Sequence, residues 1–188
     1  LHTTIEHWLP LSKSKETALD YQNFLATCKG GSDIDASALK GTRLLCCDAN
    51  KGDNDALTLD PRNKEMLSGI TYLSDGIMEY QDTPPFDCFA IQNDIDKILR
   101  LNGKIDSEHI CRQDTSTQLV KHRKDVFQNT EQICIDCLTR GILTVEWLDS
   151  KIQECLSRER REDFAGVAIF VYKTYLNRLQ ERRHLQEG

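Results

Sequence analysis

The hydrophobic pattern of this 188-residue chain changes character near residue 83. Before that point, apolar residues fall in short segments separated by turn-forming residues. After it, they recur at intervals of about 3.6 residues over long stretches. Pro84-Pro85 follows directly and interrupts any continuous helix or strand. We therefore predict an α+β chain in two regions: residues 1–82 with short strands and turns, and residues 83–188 that are all-helical.

In the upstream region, residues 4–9 predict a short strand that ends at Pro10. Residues 70–73 and 77–78 predict a hairpin around the turn Ser74-Asp75-Gly76. The polar stretch 30–41 predicts a loop or insertion, and Asp48 is expected to open a brief helix.

In the downstream region, four amphipathic helices are predicted from apolar residues that share one helical face. Asn102-Gly103 is expected to end the first helix, and Arg140-Gly141 the second. Thr144 and Asp163 are expected to cap the third and the fourth.

The formal net charge of −6 argues against a chain that binds nucleic acid unaided through a generally basic surface. The acidic excess lies upstream. Residues 1–82 carry eight Lys and Arg against thirteen Asp and Glu, and residues 83–188 carry sixteen against seventeen. Such a concentration of carboxylates is typical either of a solvated surface or of a site where a divalent cation compensates the charge.

The sequence predicts a cytoplasmic protein without membrane association. No apolar run approaches the roughly 20 residues that cross a bilayer, and the first residues lack the pattern of a signal peptide. Eight cysteines, including the adjacent pair Cys46-Cys47, favour free thiols in a reducing compartment over a disulfide scaffold. The chain starts with Leu, so we expect a further segment upstream.

Three upstream segments carry the residue types that phosphodiester hydrolysis needs. They are residues 5–10, 20–28 and 46–53. The reaction requires a base that activates water and a cation that neutralises charge on the phosphate and the leaving oxygen. His7 is the natural base near pH 7, and Asp48 is a hard oxygen ligand for a cation. We expect Asn23 to hold His7 by accepting its other N–H, and Lys51 to steady a phosphate oxygen.

Together these segments resemble the HNH endonuclease family, and within it the PtuB-like endonucleases of retron and Septu antiphage systems. The resemblance rests on Glu6-His7-x-x-Pro10, on Asp20-Tyr21-x-Asn23-Phe24-Leu25-x-x-Cys28, and on Cys47-Asp48-x-x-Lys51-Gly52-Asp53. It continues through the segments 70–76, 98–102 and 164–169, and so it spans most of the chain.

The resemblance implies a ββα-metal finger that clamps one divalent ion against the scissile phosphate. In this family pattern His7 matches the general base, Glu6 and Asp48 match the metal ligands, and Asn23 matches the central motif residue. Many relatives have His or Asn where this chain has Asp48. Because a carboxylate is a hard, charged ligand, the substitution favours Mg²⁺ or Mn²⁺ over Zn²⁺ at the catalytic position.

Many HNH proteins also use two cysteine pairs to hold a structural zinc ion. Cys28 and Cys47 match the second pair, whereas the chain shows no C-x-x-C before Glu6. A structural zinc ion needs four ligands. A Zn²⁺ site is therefore expected only if the upstream segment supplies the missing ligands or Cys46 replaces one. Otherwise packing holds the finger together.

The implied function is a metal-dependent endonuclease that acts as the effector of an antiphage defence complex. Its implied partners are an SMC/ABC-like, PtuA-like ATPase and, in retron systems, a reverse transcriptase with its RNA–DNA hybrid. The helical region is the expected docking surface, and the ATPase would supply the basic groove that this acidic chain lacks. Two alternatives stay open: an RNase that acts on structured RNA such as tRNA, and a non-catalytic adaptor that keeps the finger as a scaffold.

Two further patterns have simpler interpretations. Cys134-x-x-Cys137 is typical of a redox or zinc half-site, but both thiols fall on an apolar helix face, which favours core packing. The basic runs at residues 121–124 and 158–161 are expected to be solvated helix faces rather than contacts to a nucleic-acid backbone.

Overall fold

The structure, a computed structural model, describes residues 3–30, 45–53, 55–81, 84–103, 105–106, 109–110, 118–157 and 162–187. The predictions for residues 31–41 and for the basic run 158–161 lie outside these ranges. The chain divides into two compact units. One comprises Leu1–Thr71 and Ile77–Val120, and the other comprises Tyr72–Gly76 and Lys121–Gly188.

The first unit begins with an antiparallel strand pair. Strand β1 (Thr3–His7) pairs with β2 (Phe24–Cys28), so that Glu6 lies opposite Leu25 and His7 opposite Phe24. The predicted strand at 4–9 is confirmed, although β1 ends three residues before Pro10. A 3-10 turn (Tyr21–Asn23) leads into β2.

The rest of the first unit combines short helices with short strands. Helix α1 (Lys64–Ser68) is followed by β3 (Ile70–Tyr72) and β4 (Met78–Tyr80), which pair as the predicted hairpin. Helix α2 (Cys88–Asn93) continues as one turn of π-helix (Asp94–Ile98). Strands β5 (Ile105–Asp106) and β6 (His109–Ile110) form a further antiparallel pair.

The core of the first unit draws on both sides of the Pro84-Pro85 dipeptide. Ile77, Ile91 and Ile95 are almost completely buried, and the Cys47 amide donates to the Leu99 carbonyl at 2.7 Å. These contacts tie α2 and its continuation to the upstream segments. The compact unit therefore extends to Val120, whereas the change of sequence pattern lies near residue 83.

The described part of the second unit contains three helices. They are α3 (Leu119–Thr139), α4 (Val145–Ser157) and α5 (Ala165–Glu187). Leu148, Val171 and Tyr172 lie in its buried core with Cys134, and Trp147 contacts Tyr172 edge to face. Thr144 caps α4 as predicted, because its hydroxyl accepts the Trp147 amide at 3.1 Å.

The α+β class is confirmed, and two details of the downstream prediction are wrong. Residues 83–188 are not all-helical, because β5 and β6 lie within them. A strand of two residues is too short to show alternation, so its sequence gives no signal. Helix α5 begins at Ala165 rather than directly after Asp163, and Phe164 before it has a φ of 60°. In the described part of the chain, no helix combines the length and apolar character needed to cross a membrane.

Candidate active site

An open pocket of about 590 Å³ in the first unit brings together two of the three predicted segments, residues 5–10 and 46–53. Four of the five residues predicted for catalysis or for the divalent ion line it, namely Glu6, His7, Asp48 and Lys51. Ser12 and Asp53 also contribute to its wall. Side chains that lie 41 residues or more apart in the sequence, such as His7 and Asp48, therefore share one solvent-open space.

Asp48 reaches this pocket because its backbone is fixed at the end of β2. It lies in a 3-10 turn (Cys47–Ala49), and the Cys46 amide just before that turn donates to the Gly30 carbonyl at 3.0 Å. Gly30 has a φ of 53°, and a Cβ there would lie 1.9 Å from the Cys46 carbonyl oxygen. Only glycine permits this close approach of the two backbone segments.

The other side of the same turn is held by the π-helical segment. Besides the bond from Cys47 to Leu99, the side-chain Nδ2 of Asn50 donates to the carbonyls of Lys97 and Ile98 at 2.9 and 2.8 Å. The turn is thus fixed from two directions. A side chain on a rigid support of this kind keeps its position when a ligand binds.

The carboxylates of Glu6 and Asp48 are close enough to affect each other. Burial raises the pKa of Glu6, and the hydrogen bond and charge of Asp48 raise it further, while Lys51 and His7 act in the opposite direction. Two carboxylates that repel each other are stabilised by a cation between them. Mg²⁺ commonly binds through one or two carboxylates and completes its shell with water, so this donor pair fits Mg²⁺ or Mn²⁺.

The imidazole of His7 is oriented by a backbone carbonyl rather than by Asn23. Its Nε2 lies 2.9 Å from the Ala18 carbonyl oxygen. Because a carbonyl only accepts, the neutral ring carries its proton on Nε2 and its lone pair on Nδ1. The ring also contacts Phe24 edge to face, with 5.1 Å between centroids. The predicted hydrogen bond from His7 to Asn23 is therefore wrong.

Asn23 instead holds the backbone that follows β1. Its side chain is 5% exposed; Oδ1 accepts the Leu9 amide at 2.7 Å, and Nδ2 donates to the Leu9 carbonyl at 3.0 Å. Nδ2 also approaches the Thr17 carbonyl at 3.3 Å. The prediction of direct contact failed because these backbone groups, once buried, compete for the amide. Asn23 is a positioning residue.

Lys51 has a similar anchoring contact. Its Nζ donates to the His7 carbonyl oxygen at 2.9 Å while the side chain lines the pocket. An ammonium group has three donors, so this bond leaves others for a phosphate oxygen. Lys51 thereby links the end of β1 to the segment that follows Asp48.

The predicted zinc half-site has two thiols in contact. Partial desolvation raises the pKa of the Cys28 thiol, and the neighbouring Cys47 thiol raises it further. The Cys47 sulfur lies 3.8 Å from that of Cys46. Among the described residues, no three His, Cys, Asp or Glu side chains are grouped so that they could hold a metal ion. The four ligands of a structural zinc ion are therefore not found in this part of the chain.

The Cys134-x-x-Cys137 pattern and the basic run 121–124 both lie on α3 in the second unit. Cys134 is completely buried, and burial raises its pKa to about 12. A redox thiol needs an accessible sulfur and a lowered pKa, so this helix face packs the core. In the basic run, Lys121, His122 and Lys124 are exposed, but Arg123 is buried and its Nε donates to the Gly76 carbonyl at 2.7 Å.

The sequence did not predict the residues that act through a backbone carbonyl or through a contact with an aromatic ring. Ala18 orients His7 with its carbonyl, and no motif shows such a role. Arg62 and Trp8 form a cation–π contact at 4.9 Å beside the site. An aromatic residue directly after the Glu6-His7 pair was the available signal, but its partner lies 54 positions later.

Comparison of the chain with protein-family models, with curated proteins and with solved structures finds no match. The function of the chain must therefore be argued from its own residues and their geometry.

Proposed function

We propose that the chain is a metal-dependent endonuclease of the HNH class that hydrolyses phosphodiester bonds. The observation that supports this most is the convergence of Glu6, His7, Asp48 and Lys51 on one open pocket of about 590 Å³. It combines a carboxylate pair, an imidazole with a defined tautomer and a cation. These are the groups that attack of water on a phosphodiester requires.

Each residue has a distinct role in this proposal. Glu6 and Asp48 hold Mg²⁺ or Mn²⁺, which supplies charge neutralisation at the phosphate and the leaving oxygen. His7 accepts a proton from the attacking water at Nδ1, while Ala18 keeps the ring in place through Nε2. Lys51 binds a phosphate oxygen with the donors that the His7 carbonyl does not use.

We further propose that the chain works in the cytoplasm as the effector of an antiphage complex with an SMC/ABC-like ATPase, joined in retron systems by the reverse transcriptase and its RNA–DNA hybrid. The net charge of −6 supports a partner that contributes basic surface. Large apolar side chains are exposed on the second unit, which supports a docking role. They include Ile133, Ile135, Leu138, Ile142 and Leu156. Co-purification of the two proteins tests this, and a chain that never associates with the ATPase contradicts it.

The catalytic proposal is tested by a nuclease assay in Mg²⁺ or Mn²⁺, with EDTA as the blank, on labelled duplex DNA and on tRNA. His7→Ala is expected to lower the rate about 10²- to 10⁴-fold, because the general base is lost. The matched control is His122→Ala, which removes an exposed imidazole of the second unit that stacks on Phe164. It should leave the rate unchanged.

The outcomes separate the alternatives. Cleavage of tRNA but not of DNA identifies an RNase. Binding of the ion without turnover on either substrate, lost in Asp48→Asn, identifies an adaptor. A His7→Ala variant with an unchanged circular dichroism spectrum and the wild-type rate would show that the proposed mechanism is wrong.

A further inference from the structure

A second pocket of the first unit shares Glu6, His7, Asp48 and Lys51 with the candidate active site, but the rest of its wall is different in character. Its volume is about 420 Å³, which lies within the range of small-molecule sites. Most of the remaining lining is aliphatic. It includes Leu25, Leu57, Leu59, Pro61, Leu99 and Leu101.

The position of this pocket restricts what it can hold. A phosphodiester at the carboxylates and His7 carries a sugar and a base on either side, so the space that opens at the same side chains receives one of these groups. Aliphatic walls do not solvate a phosphate or a metal ion, but they suit the flat apolar face of a base. The four side chains that we assign to the ion, the attacking water and the phosphate are the ones that the two pockets share, so a nucleotide bound at the first pocket borders the second.

Arg62 adds a flat surface to the pocket wall. Its guanidinium carbon lies 4.9 Å from the centre of the Trp8 ring, and Asp60 accepts from its Nε and Nη2 at 2.8 and 2.9 Å. Trp8 is itself held by the bond from its Nε1 to the Leu59 carbonyl at 3.1 Å. These contacts hold the guanidinium group between Asp60 and the indole ring. Bases commonly stack on guanidinium planes.

We propose that this pocket binds the base and sugar of an unpaired nucleotide next to the scissile phosphate, with Arg62 as the stacking surface. The inference rests on the proposed function. It makes single-stranded or locally unpaired nucleic acid the substrate class, because a base inside a duplex must leave its stack before it can enter a pocket.

The test measures binding separately from cleavage. The probe is a short single-stranded oligonucleotide with one 2-aminopurine, in DNA and RNA versions and as a duplex, in EDTA so that it stays intact. Ala26→Phe adds bulk at the pocket wall, because Ala26 is an exposed residue of β2 and is among the lining residues. Ile5→Phe is the matched control: Ile5 faces Ala26 across the strand pair, is 74% exposed and is not among the lining residues.

We expect 2-aminopurine fluorescence to change on binding to the wild-type protein and to Ile5→Phe. Ala26→Phe should bind about 5- to 100-fold more weakly, the usual effect of losing one stacked base. Arg62→Lys should show a similar loss although its charge is kept, since lysine has no planar face.

Three results would overturn the inference: equal binding of duplex and single strand, unchanged binding by Ala26→Phe, or full binding by Arg62→Lys. If any of them occurs while His7-dependent cleavage persists, the pocket assignment fails and the nuclease proposal stands. If binding depends on the pocket but no form of the protein cleaves nucleic acid, the pocket assignment stands and the nuclease proposal fails.

Discussion

Two buried asparagines of the first unit use the same device. Each bonds both the N–H and the C=O of one backbone residue: Asn23 with Leu9 at 2.7 and 3.0 Å, and Asn102 with Met78 at 2.8 and 2.7 Å. This two-point pairing imitates a neighbouring strand residue. The buried amide is satisfied and fixes the backbone segment with which it pairs. For Asn23, that segment lies two residues beyond His7.

Asp94 also fixes a backbone segment, but it does so with a carboxylate. Stability should therefore depend on the pH at which this group ionises. It is 2% exposed, and its Oδ2 accepts the amides of Thr58 and Leu59 at 2.6 and 2.7 Å. Burial raises the pKa of Asp94, while the two amides act in the opposite direction. The folded protein therefore holds this proton at a pH where the unfolded chain has lost it, so the ionised carboxylate lowers stability increasingly as pH rises from about 4 towards the folded pKa.

Asp94→Asn keeps an oxygen acceptor and removes the charge. Its free energy of unfolding relative to the wild type should therefore increase as the pH rises above about 4, as measured by urea titration at a series of pH values. Asp94→Ala is the comparison: it removes the acceptor and should be less stable than Asp94→Asn by about 1–3 kcal/mol throughout. A difference between Asp94→Asn and the wild type that does not vary with pH would show that the charge carries no penalty.

The residue types of the site, but not all of their contacts, could be predicted from the sequence. An imidazole, two carboxylates and a lysine in ordered segments indicated one pocket, because the chemistry requires those groups. The partner of His7 could not be predicted, since any carbonyl is chemically equivalent and the path of residues 8–23 decides that Ala18 is the one in reach.

At the level of elements, the contact between the end of β2 and the turn that carries Asp48 depends on one glycine. Gly30 and Gly141 both have positive φ, at 53° and 71°. A Cβ at Gly30 would overlap the Cys46 carbonyl, whereas a Cβ at Gly141 meets no atom within 4 Å. A residue with a side chain would therefore be conformationally strained at both positions, but it would also collide with the backbone only at position 30.

Gly141→Ala should lower the free energy of unfolding by about 1 kcal/mol, the usual strain of a left-handed residue with a side chain. Gly30→Ala should lower it by about 3 kcal/mol or more, because the Cys46 segment must also move. Movement of that segment displaces Asp48, so Gly30→Ala should also weaken Mg²⁺ binding measured by calorimetry. Equal effects of the two substitutions on stability would contradict the role given to this contact.

Long helices were predictable, and short elements were not. The 3.6-residue period and the cap at Thr144 gave α3 and α4 almost to their ends, because each helix buries one stripe in a core of its own unit. Strands β5 and β6 pair two residues each, which is too few to repeat a pattern. The π-turn after α2 is closed by the bond from the Leu99 amide to the Asp94 carbonyl at 2.8 Å, and the apolar period of the sequence does not distinguish it from an α-helical turn.

At the scale of the whole molecule, the change of sequence pattern and the compact units do not coincide. Local pattern reports where helices become long, whereas the unit boundary reports which residues share a core. Ile91 and Ile95 come after the proline pair but belong to the first unit, while Leu148 and Val171 belong to the second. Each unit has its own buried cluster, and this is the property that permits separate unfolding.

The two tryptophans of the chain test that separation, because Trp8 lies in the first unit and Trp147 in the second. In a Trp147→Phe background, Trp8 fluorescence reports the first unit alone. In a Trp8→Phe background, Trp147 reports the second. Leu148 is completely buried, so Leu148→Ala should lower the stability of its own unit by about 2–5 kcal/mol. Ile95→Ala is the reciprocal change in the first unit.

Leu148→Ala should shift the urea midpoint reported by Trp147 and leave that reported by Trp8 in place, and Ile95→Ala should do the opposite. Each Leu148→Ala or Ile95→Ala variant is compared with the single-tryptophan protein from which it was made, because Trp8→Phe also removes the bond to the Leu59 carbonyl. A common shift of both midpoints would mean that the units unfold as one cooperative body. In that case a partner that binds the exposed apolar residues of the second unit would also stabilise the pocket of Glu6, His7 and Asp48. With separate midpoints, the stability of the pocket would depend on the first unit alone.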